Sequence, residues 1–214
     1  MFSFKGFTTK EKNTHLEHVE DDIINRGSKG GQNAINFLKS IRNMLAGSSG
    51  KKVNMTVKWD GAPAIICGIN PENGKFFVGT KSVFNVNPKI NYTTSDISKN
   101  HGGELGNKLK IALRELAKLN ITGILQGDFL FSKSDLKSAT IDGENMITFT
   151  PNTITYAVPN NSSIGKRIKR ARMGIVFHTS YSGKKMKDLR AGFGTVSGKS
   201  GISSVFLADA AYRD

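Results

Sequence analysis

Apolar residues recur at helical spacing along the first fifty positions: Leu16, Val19, Ile23 and Ile24 mark one face, and Ile35, Leu38, Ile41 and Leu45 another. This predicts two helices between about Thr14 and Leu45, joined by a loop at Gly27 to Gly31. The turn-rich cluster Gly47 to Gly50 closes the unit. The period then shortens to two. Val53, Met55 and Val57 alternate as a strand, Ala64 to Ile69 reads as its antiparallel partner, and Asn70 to Gly74 turns the chain into Phe76-Phe77-Val78. A third amphipathic helix is expected over Leu105 to Leu119, with Leu105, Leu109, Ala112, Leu113 and Leu116 on its apolar face. Its cations Lys108, Lys110, Arg114 and Lys118 are expected to face water. Short strands follow at Gly123 to Leu130, Ile147 to Phe149, Ile154 to Val158 and Gly174 to His178, with a basic helix over Ser162 to Arg172. Strands and helices without regular βαβ alternation indicate an α+β fold of mainly antiparallel sheets. The expected organisation is an N-terminal helical segment over 1–50 and one domain over 51–214.

A chain of 214 residues can bury a full core without staples. Its 37% hydrophobic and 22% charged content is ordinary for a globular protein, and no apolar run approaches a membrane span. The start Met1-Phe2-Ser3-Phe4-Lys5-Gly6 lacks the continuous apolar stretch of a signal peptide, so a cytoplasmic protein is expected. A single cysteine, Cys67, excludes an internal disulfide and reads as a core residue. Lys and Arg outnumber Asp and Glu by 31 to 17, for a net charge of +14. That excess favours polyanionic partners such as nucleic acid without identifying one. Lys166, Arg167, Lys169, Arg170 and Arg172 concentrate it on one helix, suited to phosphate contacts or to a solvated face. His15 and His18, three apart beside acids, suit a helix start better than a metal site.

Chemistry concentrates at Val57-Lys58-Trp59-Asp60-Gly61, where a strand is expected to end in an Asp-Gly turn. A lysine there can act as a nucleophile once its amine is deprotonated, which burial, neighbouring cations or a divalent metal favour. Glycine would allow positive φ and close approach of a ligand. The structural alternative is a surface hairpin carrying an incidental lysine.

Lys58-Trp59-Asp60-Gly61 resembles the Lys-x-Asp-Gly signature of the covalent nucleotidyltransferases: the DNA ligases, RNA ligases and mRNA capping enzymes. The resemblance implies a ligase-type core of antiparallel sheets flanked by helices, ATP as substrate, Mg²⁺ or Mn²⁺ as cofactor, and Lys58 as the residue that carries the nucleotide. Three further segments follow in the family's order. Val78-Gly79-Thr80-Lys81-Ser82-Val83-Phe84 would place Lys81 on the nucleotide. Gly123-Ile124-Leu125-Gln126-Gly127-Asp128-Phe129-Leu130-Phe131 resembles the third motif, with Asp128 for the usual glutamate, contacting ribose or metal. Met173 to Leu189 admits two registers. One takes Gly174-Ile175-Val176 as the glutamate-glycine strand, with Met173 at the glutamate position. The other, preferred because it accounts for Tyr181, Gly183 and Leu189, stacks Phe177 on the base and puts His178 where the family has aspartate. Asp60 and Gly61 complete the implied nucleotide site.

The preferred register implies that the last metal-binding strand and the final Lys-x-Lys motif lie beyond Asp214, so the domain is expected to be incomplete at its C-terminus. Lys81 in a Thr-Lys-Ser context, and Pro63 where DNA ligases commonly carry arginine, make an RNA ligase the closer likeness. The runs His15-Leu16-Glu17-His18-Val19-Glu20-Asp21, Lys58 to Ala64 and Pro151-Asn152-Thr153-Ile154 are similar to proteins of T4-like tailed bacteriophages, which implies the infected host's cytoplasm. The competing expectation is a basic nucleic-acid-binding or phage structural protein that keeps this fold without the chemistry.

Overall fold

The computed structural model describes residues 19–47, 56–194 and 201–210. His15, Leu16, His18, Val53 and Met55 lie outside the described residues. The chain forms helix α1 (Val19–Leu45), strands β1 (Ala64–Ile69) and β2 (Phe76–Gly79), helices α2 (Thr94–Asn100) and α3 (Gly103–Leu116), and strands β3 (Ile124–Ser132), β4 (Lys137–Ile141), β5 (Glu144–Phe149) and β6 (Tyr156–Pro159). Helix α4 (Ser163–Arg170) and strands β7 (Met173–Ser182), β8 (Arg190–Phe193) and β9 (Val205–Ala208) follow. The fold is α+β, but the main sheet is mixed. Its order is β2-β1-β3-β7-β8 with antiparallel neighbours, and β9 lies parallel to β7, whereas β4-β5-β6 form a separate antiparallel sheet.

The apolar runs of β1, β3 and β7 place them at the centre of the main sheet, buried on both faces. On one face Ile65, Cys67, Phe129, Ile175 and Phe177 pack against Leu109, Ala112 and Leu116 of α3. Each large side chain buried there contributes roughly 1.5–3 kcal/mol. The opposite face carries two smaller clusters. Ile66, Phe77, Val83 and Tyr181 form one, and Leu130, Val176, Phe149 and Ile168 join the small sheet and α4 to the other.

Several expectations need correction. The strand expected at Val53 to Val57 is no partner of β1 within its described part: both edges of β1 are taken, by β2 and β3, and the Val57 N–H instead donates to the Ala210 carbonyl at 2.8 Å. The loop expected at Gly27 to Gly31 shrinks to a break at Gly27, whose φ of 55° and ψ of −131° interrupt α1. Gly30 then passes so close to the Asp22 carbonyl that a Cβ would lie 1.8 Å from it. The apolar faces read in α1 are not core, since Ile24, Leu38 and Leu45 are 77%, 57% and 71% exposed.

Four elements were not anticipated. Helix α2 starts at a reciprocal cap between Thr93 and Asp96. Strand β4 joins β5, which contains the strand expected at Ile147 to Phe149, at Asp142-Gly143, both at positive φ, the two-residue turn that matches strand twist. Strands β8 and β9 share the outer edge of β7, which is long enough to pair with both. No helix among the described residues is long and apolar enough to cross a membrane.

The cationic side of α3 is not simply turned to water. Glu115 on this helix is fully buried and accepts hydrogen bonds from Arg114 Nε at 2.8 Å, Lys118 Nζ at 2.5 Å and Ser204 Oγ at 2.8 Å, with Arg172 Nη1 at 3.6 Å. Burial opposes ionisation of Glu115, but these hydrogen bonds outweigh it and hold the carboxyl down at about 2. The cluster fastens α3 to the segment that leads into β9.

Candidate active site

The Asp60 carboxylate accepts four hydrogen bonds. Asn152 Nδ2 donates to Oδ1 at 2.8 Å, while the Thr153 N–H, the Thr153 hydroxyl and the Ile154 N–H donate to Oδ2 at 2.7, 2.7 and 2.8 Å. These bonds, led by Asn152 and Thr153, hold the carboxyl well below the usual carboxylate range. The Asp60 N–H donates to the Tyr156 hydroxyl at 2.7 Å, and Trp59 packs on Tyr156 with ring centroids 5.1 Å apart. Two runs some ninety residues apart, Lys58 to Ala64 and Pro151 to Ile154, therefore meet at one carboxylate. Asp60, expected from the sequence to meet a nucleotide, accepts four hydrogen bonds from the protein that shape the loop.

Gly61 lies where the loop crosses β3. A Cβ at this position would come within 2.5 Å of Asp128 Cβ. The requirement for glycine is contact with β3, because Gly61 is not among the residues with positive φ. The Ala62 N–H donates to the Phe129 carbonyl and the Phe129 N–H to the Pro63 carbonyl, each at 3.0 Å, which extends the β1–β3 pairing beneath the loop. Lys58 is exposed, three residues from this crossing, and has no hydrogen-bond or ion-pair partner among the described residues. Three residues span at most roughly 11 Å, so its backbone stays close to Asp128.

Asp128 pairs with Ala64 and Val176 across the sheet and alternates with Phe129, so it faces away from α3. Its Oδ2 lies 3.5 Å from His178 Nε2, and His178 Nδ1 is 2.8 Å from the Thr179 hydroxyl. A bulge brings the histidine there: Gln126 pairs with Thr179 and Gly127 with Phe177, leaving His178 as the extra residue. Phe177 is a correction. It is 1% exposed on the α3 side of the sheet, opposite Asp128, and cannot stack on a base without leaving the core.

Lys81 opens a 3₁₀ turn, Lys81–Phe84, capped by Thr80, and its side chain is exposed. It lies two residues past Gly79, the last residue of β2, which pairs with Ile66 of β1. Lys58 precedes β1 and Lys81 follows β2, so both leave the sheet on the side of β1 where Ala64 pairs with Asp128. A divalent cation arriving with a triphosphate is held by one or two carboxylates and the phosphates themselves. Asp128, 21% exposed on the open face, fits that role, and Asp60 does not.

Lys166, Arg167, Lys169 and Arg170 are exposed on α4, and Arg172 is exposed just beyond it while reaching Glu115. The Arg167 guanidinium lies 5.2 Å from the Phe206 ring. Sequence reasoning missed the clamp of Asn152, Thr153 and Tyr156 on Asp60. Its signal was the run Pro151 to Ile154, whose short polar side chains and free N–H groups suit a carboxylate partner.

Comparison with curated proteins and with solved structures finds no match. The model of the family described as "Family of unknown function (DUF6267)" matches residues 13–214, and the chain belongs to that family.

Proposed function

We propose that this protein is a covalent nucleotidyltransferase of the ligase type, built on a ligase-like core and acting on nucleic-acid ends. The observation that carries the reading is the Lys58 loop, fixed by the Asp60 clamp and laid across Asp128 with its lysine exposed. In the first step the Lys58 Nζ lone pair attacks the α-phosphorus of ATP. The bond from that phosphorus to the bridging oxygen breaks, pyrophosphate leaves with the electron pair, and the amine proton passes to solvent. In the second, a 5′-phosphate oxygen of the acceptor attacks the same phosphorus and the P–N bond breaks, which leaves a 5′–5′ pyrophosphate and restores the lysine. Mg²⁺ or Mn²⁺ held at Asp128 would offset the charge on the phosphates. Lys81, exposed just past β2, would provide a cation for the same phosphates.

The test is incubation of the full chain with each of the four α-labelled nucleoside triphosphates and Mg²⁺ or Mn²⁺. The expected result is an acid-labile, alkali-stable adduct on the wild type and none on Lys58→Ala. Lys58 is exposed and has no partner to lose among the described residues, so this variant should fold unchanged. No adduct with any nucleotide sinks the enzymatic reading.

One observation favours a second reading, a basic nucleic-acid-binding protein without turnover. Phe177, which the resemblance would stack on the base, is buried in the core. Such a protein would bind nucleic acid with strong salt dependence, barely changed by Lys58→Ala.

A further inference from the structure

A cleft of about 850 Å³ opens beside the Lys58 loop, between β6, α4 and β9. Lys58, Lys81 and Asp128 do not line it, and the nucleotide chemistry leaves it unused. Its walls combine two kinds of group. Trp59, Tyr156 and Phe149 form a row of rings, with Trp59 to Tyr156 at 5.1 Å and Tyr156 to Phe149 at 5.4 Å, the latter pair stacked. Helix α4 supplies Ile164 and Arg167 to the opposite wall. The same helix, Ser-Ile-Gly-Lys-Arg-Ile-Lys-Arg, contains no acid: Arg170 lies one turn beyond Arg167 and continues its charge along the helix, while Lys166 and Lys169 are exposed on the side turned away from the lining residues. Lys133 donates to the Lys169 carbonyl and brings another cation to the end of the helix. Among the described residues Asp209 is the one acid on the wall.

We propose that this cleft binds single-stranded nucleic acid, with a base against the aromatic row and the backbone phosphates along α4. Aromatic faces beside a cationic track are what an unpaired strand requires: bases stack without sequence preference, and Lys and Arg follow the phosphates. A paired duplex has no free base face to offer. The volume suits one or two nucleotides, within the range of ordinary ligand clefts. Gly165 lets α4 approach β6, since a Cβ there would meet the Pro159 carbonyl at 2.3 Å. On the transferase reading, on which only this assignment of role rests, the strand is the acceptor.

Trp59 is the only tryptophan of the chain, so its fluorescence reports on this cleft directly. The full protein without nucleotide is titrated with hexathymidylate, with hexauridylate, with an abasic strand of equal length, with a blunt duplex, and with ATP. The expected result is saturable quenching by a six-base strand, binding at least roughly fivefold weaker for the abasic strand, and little response to duplex. The deoxy and ribo arms separate DNA from RNA. Arg167→Gln with Arg170→Gln should weaken binding and lower its salt slope by roughly 1.5. Ile164→Glu, at a rim residue 48% exposed, should weaken strand binding at least tenfold while the Lys58 adduct still forms. Equal binding of abasic and normal strands without change at Trp59 overturns the assignment. So does ATP quenching Trp59 and displacing the strand, which would make the cleft the nucleotide pocket. Because strand binding and adduct formation are read separately, failure of one does not imply failure of the other.

Discussion

Replacing Glu115 by glutamine keeps the shape of a fully buried side chain and removes its charge, which makes it the sharpest probe of how α3 is fastened to the sheet. The carboxylate accepts from Arg114, Lys118 and Ser204 and holds its pKa at about 2 against an ordinary 4.5. A folded pKa below the unfolded one means stability that is complete above pH 4.5, declines below it, and is gone once pH has fallen through 2. The gap corresponds to at most about 3 kcal/mol. Arg114, Lys118 and Arg172 are 56%, 43% and 61% exposed, so solvent screening brings the contribution to about 1–2 kcal/mol. Glu115→Gln should therefore lower the midpoint of thermal unfolding at pH 7 by roughly 2–8 °C. The difference between variant and wild type should shrink as pH is taken from 5 toward 2. Urea unfolding monitored by circular dichroism across that range measures both. A variant as stable as the wild type at pH 7, or a difference that stays constant down to pH 2, would refute this account of the cluster.

Gly61→Ala would push a methyl group to 2.5 Å from Asp128 Cβ, so the loop must shift by about 1 Å. A shift of that size can cost roughly 100-fold in rate. The expectation is strongly reduced Lys58 adduct with binding of the six-base strand retained, measured side by side. Cys67 is fully buried, and burial pushes its thiol up, so a thiol reagent should leave it unmodified in the native protein and react once urea unfolds the chain. Fast labelling under native conditions would contradict the placement of β1 at the centre of the sheet.

The α+β class, the third helix, the basic helix and most central strands were legible because each has an apolar period or run of its own. Ala64 to Ile69 is apolar throughout and is buried on both faces. Strand β9 was not legible: four apolar residues can pair with any open edge, and only the length of β7 beyond β8 provides one. The apolar stripes of α1 mark a helix but do not say what it packs on. At the site, the sequence offered Lys58, Lys81 and Asp128 as candidates from local pattern; Lys58 precedes β1, Lys81 follows β2 and Asp128 lies within β3 opposite Ala64.

The roles of their neighbours were decided in three dimensions. Asp60 looked like a ligand contact and is a structural clamp, because Asn152, Thr153 and Ile154 reach it from far along the chain. Phe177 looked available and is core, because it alternates with Val176 and His178 along β7 and so faces α3. Glu115 sat unnoticed on a helix whose cations it gathers. Sequence by itself determined which segments form elements, since propensity and period act within a few residues. Which side chains confront one another depends on strand register and on contacts between distant segments, and only the tertiary structure fixes those.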